Sequence, residues 1–264
     1  VTGVQTCALP IYPEVKIISN YFKDWQVKAR PFELRDDHDY QRPDWFMSVG
    51  AKLYDDCPRG EFEVFVGEYA VTKNTHRYGS LRGAIGEAAF MLGLERNQAQ
   101  VKLAAYAPLF ANAQHTVWTP NMIYPTTTGS FVSPSYTVQK LFSENRGVEV
   151  LKVEVETGTF ETDSPKAWGG GSEHNVIENV QASAMRGKNG SVILKLVNCT
   201  DSEQSVRIEG VSGACRKTVF TGPEAMAHNS PSAPEALKET VCDFVLDGTD
   251  SLPPLSLAIY ETRN

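Results

Sequence analysis

The sequence has no apolar stretch longer than a few residues. Runs such as Val64-Phe65-Val66 fall far short of the roughly 18–20 consecutive apolar residues that cross a bilayer, which argues against a membrane-spanning helix. It also lacks an excess of basic charge. Lys and Arg number 25 against 32 Asp and Glu, a net charge of −7, and the basic residues are scattered, so a nucleic-acid surface is not expected. Cysteine is scarce, five in 264 residues, and forms no Cys-x-x-Cys or His/Cys cluster of the kind that holds structural zinc. There is no internal repeat and no low-complexity tract. Trp168-Gly169-Gly170-Gly171-Ser172 is glycine-rich, but no helical pattern or Lys-Ser/Thr pair follows it. It is therefore read as a flexible turn and not as a phosphate cradle. What is present is a globular composition, 41% apolar and 10% aromatic, with length for one large domain or two ordinary ones.

The first eleven residues, Val1 to Ile11, can be back-translated in full to a common sequencing-library adapter. They are expected to be a read-through artefact, with the authentic chain starting near Tyr12 and lacking its own N-terminal part. No basic region followed by an apolar core opens the chain, so there is no secretory signal to read. Setting Cys7 aside leaves Cys57, Cys199, Cys215 and Cys242, which allow three disulfide pairings between which spacing does not choose. They are expected to be buried thiols.

The chain changes character near residue 147. From Tyr12 to Phe142 short apolar runs alternate with helical patterns, the signature of parallel strands and crossover helices. Strands are expected at 15–20, 32–34, 63–66 and 101–106. Helices are expected over Pro43 to Leu53, after Ser80, and around Val138 to Phe142. The second helix is the best defined, because Leu81, Ala84, Ile85, Ala88 and Leu92 recur at helical spacing behind Ser80 as N-cap. Beyond Gly147 the segments 148–156, 176–185, 192–197, 205–209, 241–246 and 255–260 are short, β-rich and separated by turn residues, which predicts an antiparallel sandwich. The fold class is thus α/β followed by all-β.

In parallel α/β architectures chemistry sits beyond the carboxyl ends of the strands. The strand through Val64, Phe65 and Val66 leads into Gly67 and then Glu68, a carboxylate at the mouth with a glycine beside it that permits close approach. The neighbouring strand leads into the polar cluster Arg35-Asp36-Asp37-His38-Asp39-Tyr40, and the last into Pro108 to Asn112 with Trp118 beyond. Alone, each of these is as well explained by solvation, ion pairing or packing. Together, a carboxylate, a His-x-Tyr and an aromatic suit a sugar site, where apolar ring faces pack and hydroxyls take hydrogen bonds. Glycoside hydrolysis needs two carboxyl groups and no cofactor.

Four blocks carry a resemblance: 66–70 (Val-Gly-Glu-Tyr-Ala), 86–97 (Gly-Glu-Ala-Ala-Phe-Met-Leu-Gly-Leu-Glu-Arg-Asn), 106–112 (Tyr-Ala-Pro-Leu-Phe-Ala-Asn) and 134–143 (Pro-Ser-Tyr-Thr-Val-Gln-Lys-Leu-Phe-Ser). In order and spacing they resemble glycoside hydrolase family 51 α-L-arabinofuranosidases, most fully from Tyr12 to Gly147 and again at 195–198 and 252–256. The resemblance implies a partial (β/α)8 barrel, strands five to eight, over 12–147 and a β-sandwich over 148–264. It implies a retaining enzyme that removes terminal α-L-arabinofuranosyl groups from arabinoxylan, arabinan or their oligosaccharides, secreted or periplasmic, with no cofactor and no nucleic-acid or membrane partner. Glu68 would be the nucleophile and Tyr40 its hydrogen-bond donor. His38 would line the pocket, with Asn112 and Trp118 near it, while Glu87 and Glu95 would be packing or salt-bridge residues. The family's acid/base glutamate follows an asparagine at the fourth strand, and no such pair occurs between Tyr12 and Phe65. The isolated chain is therefore expected to be inactive, and a half-barrel with two open edges to be poorly soluble. Two rival readings are another retaining glycosidase with a related barrel, and a carbohydrate-binding or structural sandwich protein. The sequons at Asn189 and Asn198 agree with secretion.

Overall fold

A computed structural model of the chain describes residues 14–19 and 33–263. The adapter-like segment, and the expected strand positions Asn20 and Phe32, lie outside the described residues. Four strands, β1 (Ile18–Ser19), β2 (Leu34–Gln41), β3 (Glu63–Val71) and β4 (Val101–Tyr106), form one parallel sheet in sequential order. The polar cluster Arg35–Tyr40 was expected beyond a strand and instead lies within β2. Glu68, likewise expected past a strand end, sits inside β3, which continues to Val71.

Helix α1 (Pro43–Trp45) starts on a proline, whose fixed φ suits the first helical position, and runs on as a π-helical turn over Phe46–Gly50. Helix α2 (Leu81–Arg96) begins where expected, with Ser80 Oγ accepting the Gly83 N–H at 3.2 Å. The predicted stripe on α2 is buried, but most of it faces the second, antiparallel sheet, while Phe90 and Leu94, off the stripe, join the core of the parallel sheet. The helix is therefore apolar on nearly every side because it lies between two layers. On a third side Gly93 faces α1's continuation, where an added Cβ would stand 2.3 Å from the Ala51 carbonyl oxygen. A short hairpin, β5 (Ile123–Pro125) and β6 (Ser130–Val132), precedes α3 (Pro134–Glu144), which covers the expected third helix.

The rest of the chain is β7 (Glu149–Leu151), β8 (Thr159–Pro165), β9 (Ser172–Glu178), β10 (Val180–Arg186), β11 (Val192–Asn198), β12 (Gln204–Arg207), β13 (Gly213–Phe220), β14 (Thr240–Leu246), β15 (Thr249–Leu252) and β16 (Ser256–Thr262). Six of them make an antiparallel sheet in the order β14-β13-β16-β11-β10-β7. Alternate residues divide its two faces. Ile193, Val197, Leu257 and Ile259 turn toward α2, whereas Leu194, Leu196, Ala258 and Tyr260 pack with Leu252 and Val206 of the ribbon β12–β15. The single strand expected over 176–185 is two strands broken at Asn179, one belonging to the separate hairpin β8–β9 and the other to the sheet.

The four thiols among the described residues are free. Cys199 and Cys215 are buried as expected, but Cys57 is half-buried and Cys242 exposed on its strand. Asn198 is also buried, and its Nδ2 donates to the carbonyls of Ser202 and Pro253 at 2.8 Å. That sequon is a structural turn.

Polar contacts fasten the antiparallel sheet to the helices. Lys195 of β11 pairs with Glu95 of α2, Ser183 Oγ donates to the same carboxylate at 2.9 Å, and Gln181 Nε2 donates to the Met47 carbonyl at 2.6 Å. Glu95 is thus the salt-bridge residue expected. Glu87, also on α2, is different. It is fully buried, forms no ion pair among the described residues, and accepts the Val71 N–H at 2.9 Å on Oε1, tying α2 to the end of β3. Burial pushes its carboxyl up to about 7 from an ordinary 4.5. Its folded form therefore holds a proton that the unfolded chain has released. Stability should fall as pH rises from about 4.5 to about 7 and level off above, by about 3 kcal/mol in all. Burial raises the neighbouring phenols Tyr69 and Tyr106, so neither titrates in that window. Glu87→Gln keeps the acceptor for Val71, so the variant's thermal midpoint should lose this drop between pH 5 and pH 8. An unchanged pH dependence would place the cause elsewhere.

Candidate active site

Glu68 faces the open side of the parallel sheet because β3 carries a bulge. Pairing with β2 runs Asp36 with Phe65 and Asp37 with Val66, then skips Gly67, so that His38 stands opposite Glu68 and Tyr40 opposite Ala70. Val64 and Val66 are buried before the bulge, and after it Tyr69 packs edge-on against Phe90 of α2, with Ala70 and Val71 also buried. The extra residue switches parity. Without it Glu68 would point among Phe46 and Phe90; with it the carboxylate comes out on the other face. Gly67 is required there for space, since a Cβ would meet Asp36 Oδ1 at 2.1 Å and His38 Nε2 at 3.2 Å. The close approach inferred from the glycine exists, and it is made by side chains of β2.

Alternation in β2 sorts the polar cluster into two sets. Arg35 and Asp37 form a two-point ion pair with both bonds at 2.8 Å, and Tyr54 donates to Asp37 at 3.1 Å, all structural. The other parity, Asp36, His38 and Tyr40, lies beside Glu68. The Tyr40 hydroxyl donates to Glu68 Oε2 at 2.6 Å, His38 Nδ1 lies 3.5 Å from the same oxygen, and His38 Nε2 lies 3.1 Å from Asp36 Oδ2. Asp36 thereby orients the imidazole, a function that the i, i+2 spacing signals once β2 is known to be a strand. Burial and the hydrogen bond to Glu68 push the Tyr40 phenol well above its ordinary value, so it keeps its proton and stays a donor. Glu68 is held at one oxygen while its side chain keeps 42% of its surface. The carboxylate is thus fixed at one oxygen and still reachable from solvent.

Two of the expected pocket residues part company. Trp118 stands edge-on to the Tyr40 ring, with centroids 5.5 Å apart, and is half-exposed at the rim. Asn112 turns back into its own loop, its Oδ1 accepting the Gln114 N–H at 2.9 Å, so the side chain shapes the turn. Clefts of about 330 and 290 Å³ lie beside Arg82 and Cys199 and beside Tyr136 and Lys140, and neither is lined by Glu68. One residue at the site was missed. The indole N–H of Trp168 donates to the Tyr40 carbonyl at 2.6 Å, from 128 positions along the chain. No local pattern announces it.

Residues 67–256 match the family model described as the α-L-arabinofuranosidase C-terminal domain. The chain belongs to this family. Among curated proteins, α-L-arabinofuranosidase 1 of Arabidopsis thaliana is 32% identical over 255 residues, covering 95% of this chain and 36% of its own length. An extracellular exo-α-L-arabinofuranosidase of Streptomyces chartreusis is 39% identical over 150 residues, covering 53% of this chain and 18% of that protein. A solved arabinose-bound family 51 α-L-arabinofuranosidase superposes with a TM-score of 0.80 at 27% identity, over 98% of this chain and 41% of the other. The chain thus spans well under half the length of these arabinofuranosidase relatives. Their shared fold covers both the parallel sheet that carries Glu68 and the antiparallel sheets. Among the described residues no helix is long and apolar enough to cross a membrane.

Proposed function

We propose that this chain is the carboxyl-terminal part of a retaining exo-acting α-L-arabinofuranosidase. Residues 12–147 supply the second half of its (β/α)8 barrel, β1 to β4 being strands five to eight, and 148–264 its β-sandwich. Glu68 is the nucleophile. Its free oxygen attacks the anomeric carbon of a terminal arabinofuranosyl unit, the glycosidic C–O bond breaks, and the departing oxygen takes a proton from a second carboxyl group. Water, deprotonated by that same group, then attacks the arabinosyl ester from the opposite face, so two inversions give net retention. The second carboxyl belongs to the part of the relatives' length that this chain does not span. Tyr40 keeps Glu68 aimed through its hydrogen bond, His38 lines the pocket and Trp118 its rim. Asn112, whose amide serves its own turn, shapes the adjoining loop. The observation that carries the reading is the 2.6 Å hydrogen bond from Tyr40 to a half-exposed Glu68 across a bulge that exists to turn it outward.

The substrates are arabinose-containing polysaccharides and oligosaccharides of the arabinoxylan and arabinan type, and the reaction needs no cofactor. The extracellular Streptomyces relative supports secretion or a periplasmic site of action. The full-length protein carrying this chain should release 4-nitrophenol from 4-nitrophenyl α-L-arabinofuranoside, and proton NMR of the first sugar formed should show the α-anomer. Formation of the β-anomer first would replace the double displacement by a single one, and absence of release would remove the assignment. The isolated chain should release none.

A further inference from the structure

The hairpin β8–β9 stands apart from the six-stranded sheet and is anchored on the helices: Asn175 Oδ1 accepts the Ser48 hydroxyl at 2.7 Å, Thr162 donates to Asp44 at 3.1 Å, and Ile177 lies in the core beside α2. Its tip is built to project. Gly169, Gly170 and Gly171 all have φ between 72° and 87°, a left-handed run that only glycine adopts without strain, and it turns the chain immediately after Trp168. The indole N–H is pinned to the Tyr40 carbonyl, the Lys73 ammonium lies 4.7 Å from the ring centroid, and yet Trp168 remains 54% exposed. The indole is thus held at its polar edge with the Lys73 ammonium over one face, while more than half of its surface stays open. Its neighbour across Tyr40, Trp118, is similarly open at 46%.

From this geometry, and resting on the reading of Glu68 as nucleophile, we infer that Trp168 forms a subsite for the sugar unit on the leaving-group side of the cleaved bond. The terminal arabinofuranosyl unit must reach Glu68, which is flanked by Tyr40 and His38. The remainder of the chain then leaves past the end of β2, where Tyr40 is followed by Gln41 and the strand stops. Trp168 sits against the backbone of Tyr40 at that exit. Its ring offers the flat apolar surface that the face of a neutral pentose covers. The antiparallel region thereby contributes directly to polymer recognition, and the hairpin tip sets preference for an oligosaccharide over a small aryl leaving group.

Steady-state kinetics of the full-length protein with an arabinose-substituted xylo-oligosaccharide and with 4-nitrophenyl α-L-arabinofuranoside tests this, using Trp168→Ala and Trp168→Phe. The first deletes the ring and the second keeps an apolar ring without the N–H. With Trp168→Ala, KM for the oligosaccharide should rise about tenfold, as loss of one aromatic contact predicts, and kcat/KM for the oligosaccharide relative to the aryl substrate should fall by the same factor. Trp168→Phe should retain most of that preference. Parallel losses on both substrates, or a Phe variant as impaired as the Ala variant, would mean that Trp168 acts only by holding Tyr40 and would overturn the subsite. An unchanged oligosaccharide KM would overturn it as well. If the unmodified protein hydrolyses neither substrate, the reading of Glu68 falls and takes the subsite with it; hydrolysis with an unaltered preference sinks the subsite alone.

Discussion

Glu68→Gln in the full-length protein is expected to lower kcat on 4-nitrophenyl α-L-arabinofuranoside roughly 10⁴-fold while leaving KM within a few fold. The substitution is nearly isosteric. The amide oxygen still accepts the Tyr40 hydroxyl that now lies 2.6 Å from Oε2, so the ground-state pocket keeps its shape. What disappears is the second oxygen as a nucleophile, because an amide neither carries the negative charge nor forms a stable ester with the anomeric carbon. With the covalent step removed, the pre-steady-state burst of nitrophenol should vanish too. A polysaccharide-binding protein without catalysis would show neither effect, since its binding would survive the change. Activity within tenfold of the unmodified enzyme would mean that the hydroxyl of Tyr40 and the ring of His38 converge on a carboxylate that does no chemistry. Tyr40→Phe in parallel should give a smaller loss than Glu68→Gln, because it removes the donor that steadies the nucleophile and not the nucleophile itself.

The site was legible in the sequence to the extent that its partners are close along the chain or lie in the four motif blocks. His38 and Tyr40 share a face of β2 two residues apart, and their meeting with Glu68 needs only the neighbouring-strand pairing that a parallel sheet supplies. The extent of β2 was not legible, for a physical reason. Beyond Leu34 its buried positions are Asp37 and Asp39, with Asp37 paired to Arg35 and hydrogen-bonded by Tyr54, so the strand has no apolar alternation to show. The bulge in β3 left a trace that could have been followed. Gly67 interrupts an otherwise apolar run just before Glu68, and a glycine inside a strand pattern often marks a bulge. The face of α2 was harder, because a helix between two sheets is apolar nearly all round and its periodicity does not say which stripe meets which layer. Trp168 was beyond reach. Only the folding of a hairpin from the antiparallel region back over β2 brings it to Tyr40, and glycines following a tryptophan carry no address.

The same interlayer packing predicts the largest stability effect. Lys195 lies on the face of β11 that meets α2, among Ile193 and Val197, with its side chain fully buried against Glu95 and its ammonium 4.8 Å from the centre of the Phe142 ring. Burial pushes the ammonium down and the Glu95 carboxyl up, and their mutual attraction opposes both shifts. Such a pair gains little over a well-packed apolar substitute, yet losing one member strands a charge in the interior. Lys195→Met should therefore cost about 3–5 kcal/mol in urea denaturation of the full-length protein, because Glu95 is left with Ser183 as its hydrogen-bond donor at 2.9 Å. Glu95→Gln alone should also be destabilising, because it strands the fully buried Lys195 ammonium even though the amide still accepts from Ser183. Combining the two should recover most of the loss, for the stranded charge is gone and methionine fills the aliphatic volume that lysine occupied. If Lys195→Met costs less than about 1 kcal/mol, or if the double variant is no better than the single, the pair is not desolvated. In that case the antiparallel sheet rests on α2 through its apolar stripe, with Glu95 reaching water around it.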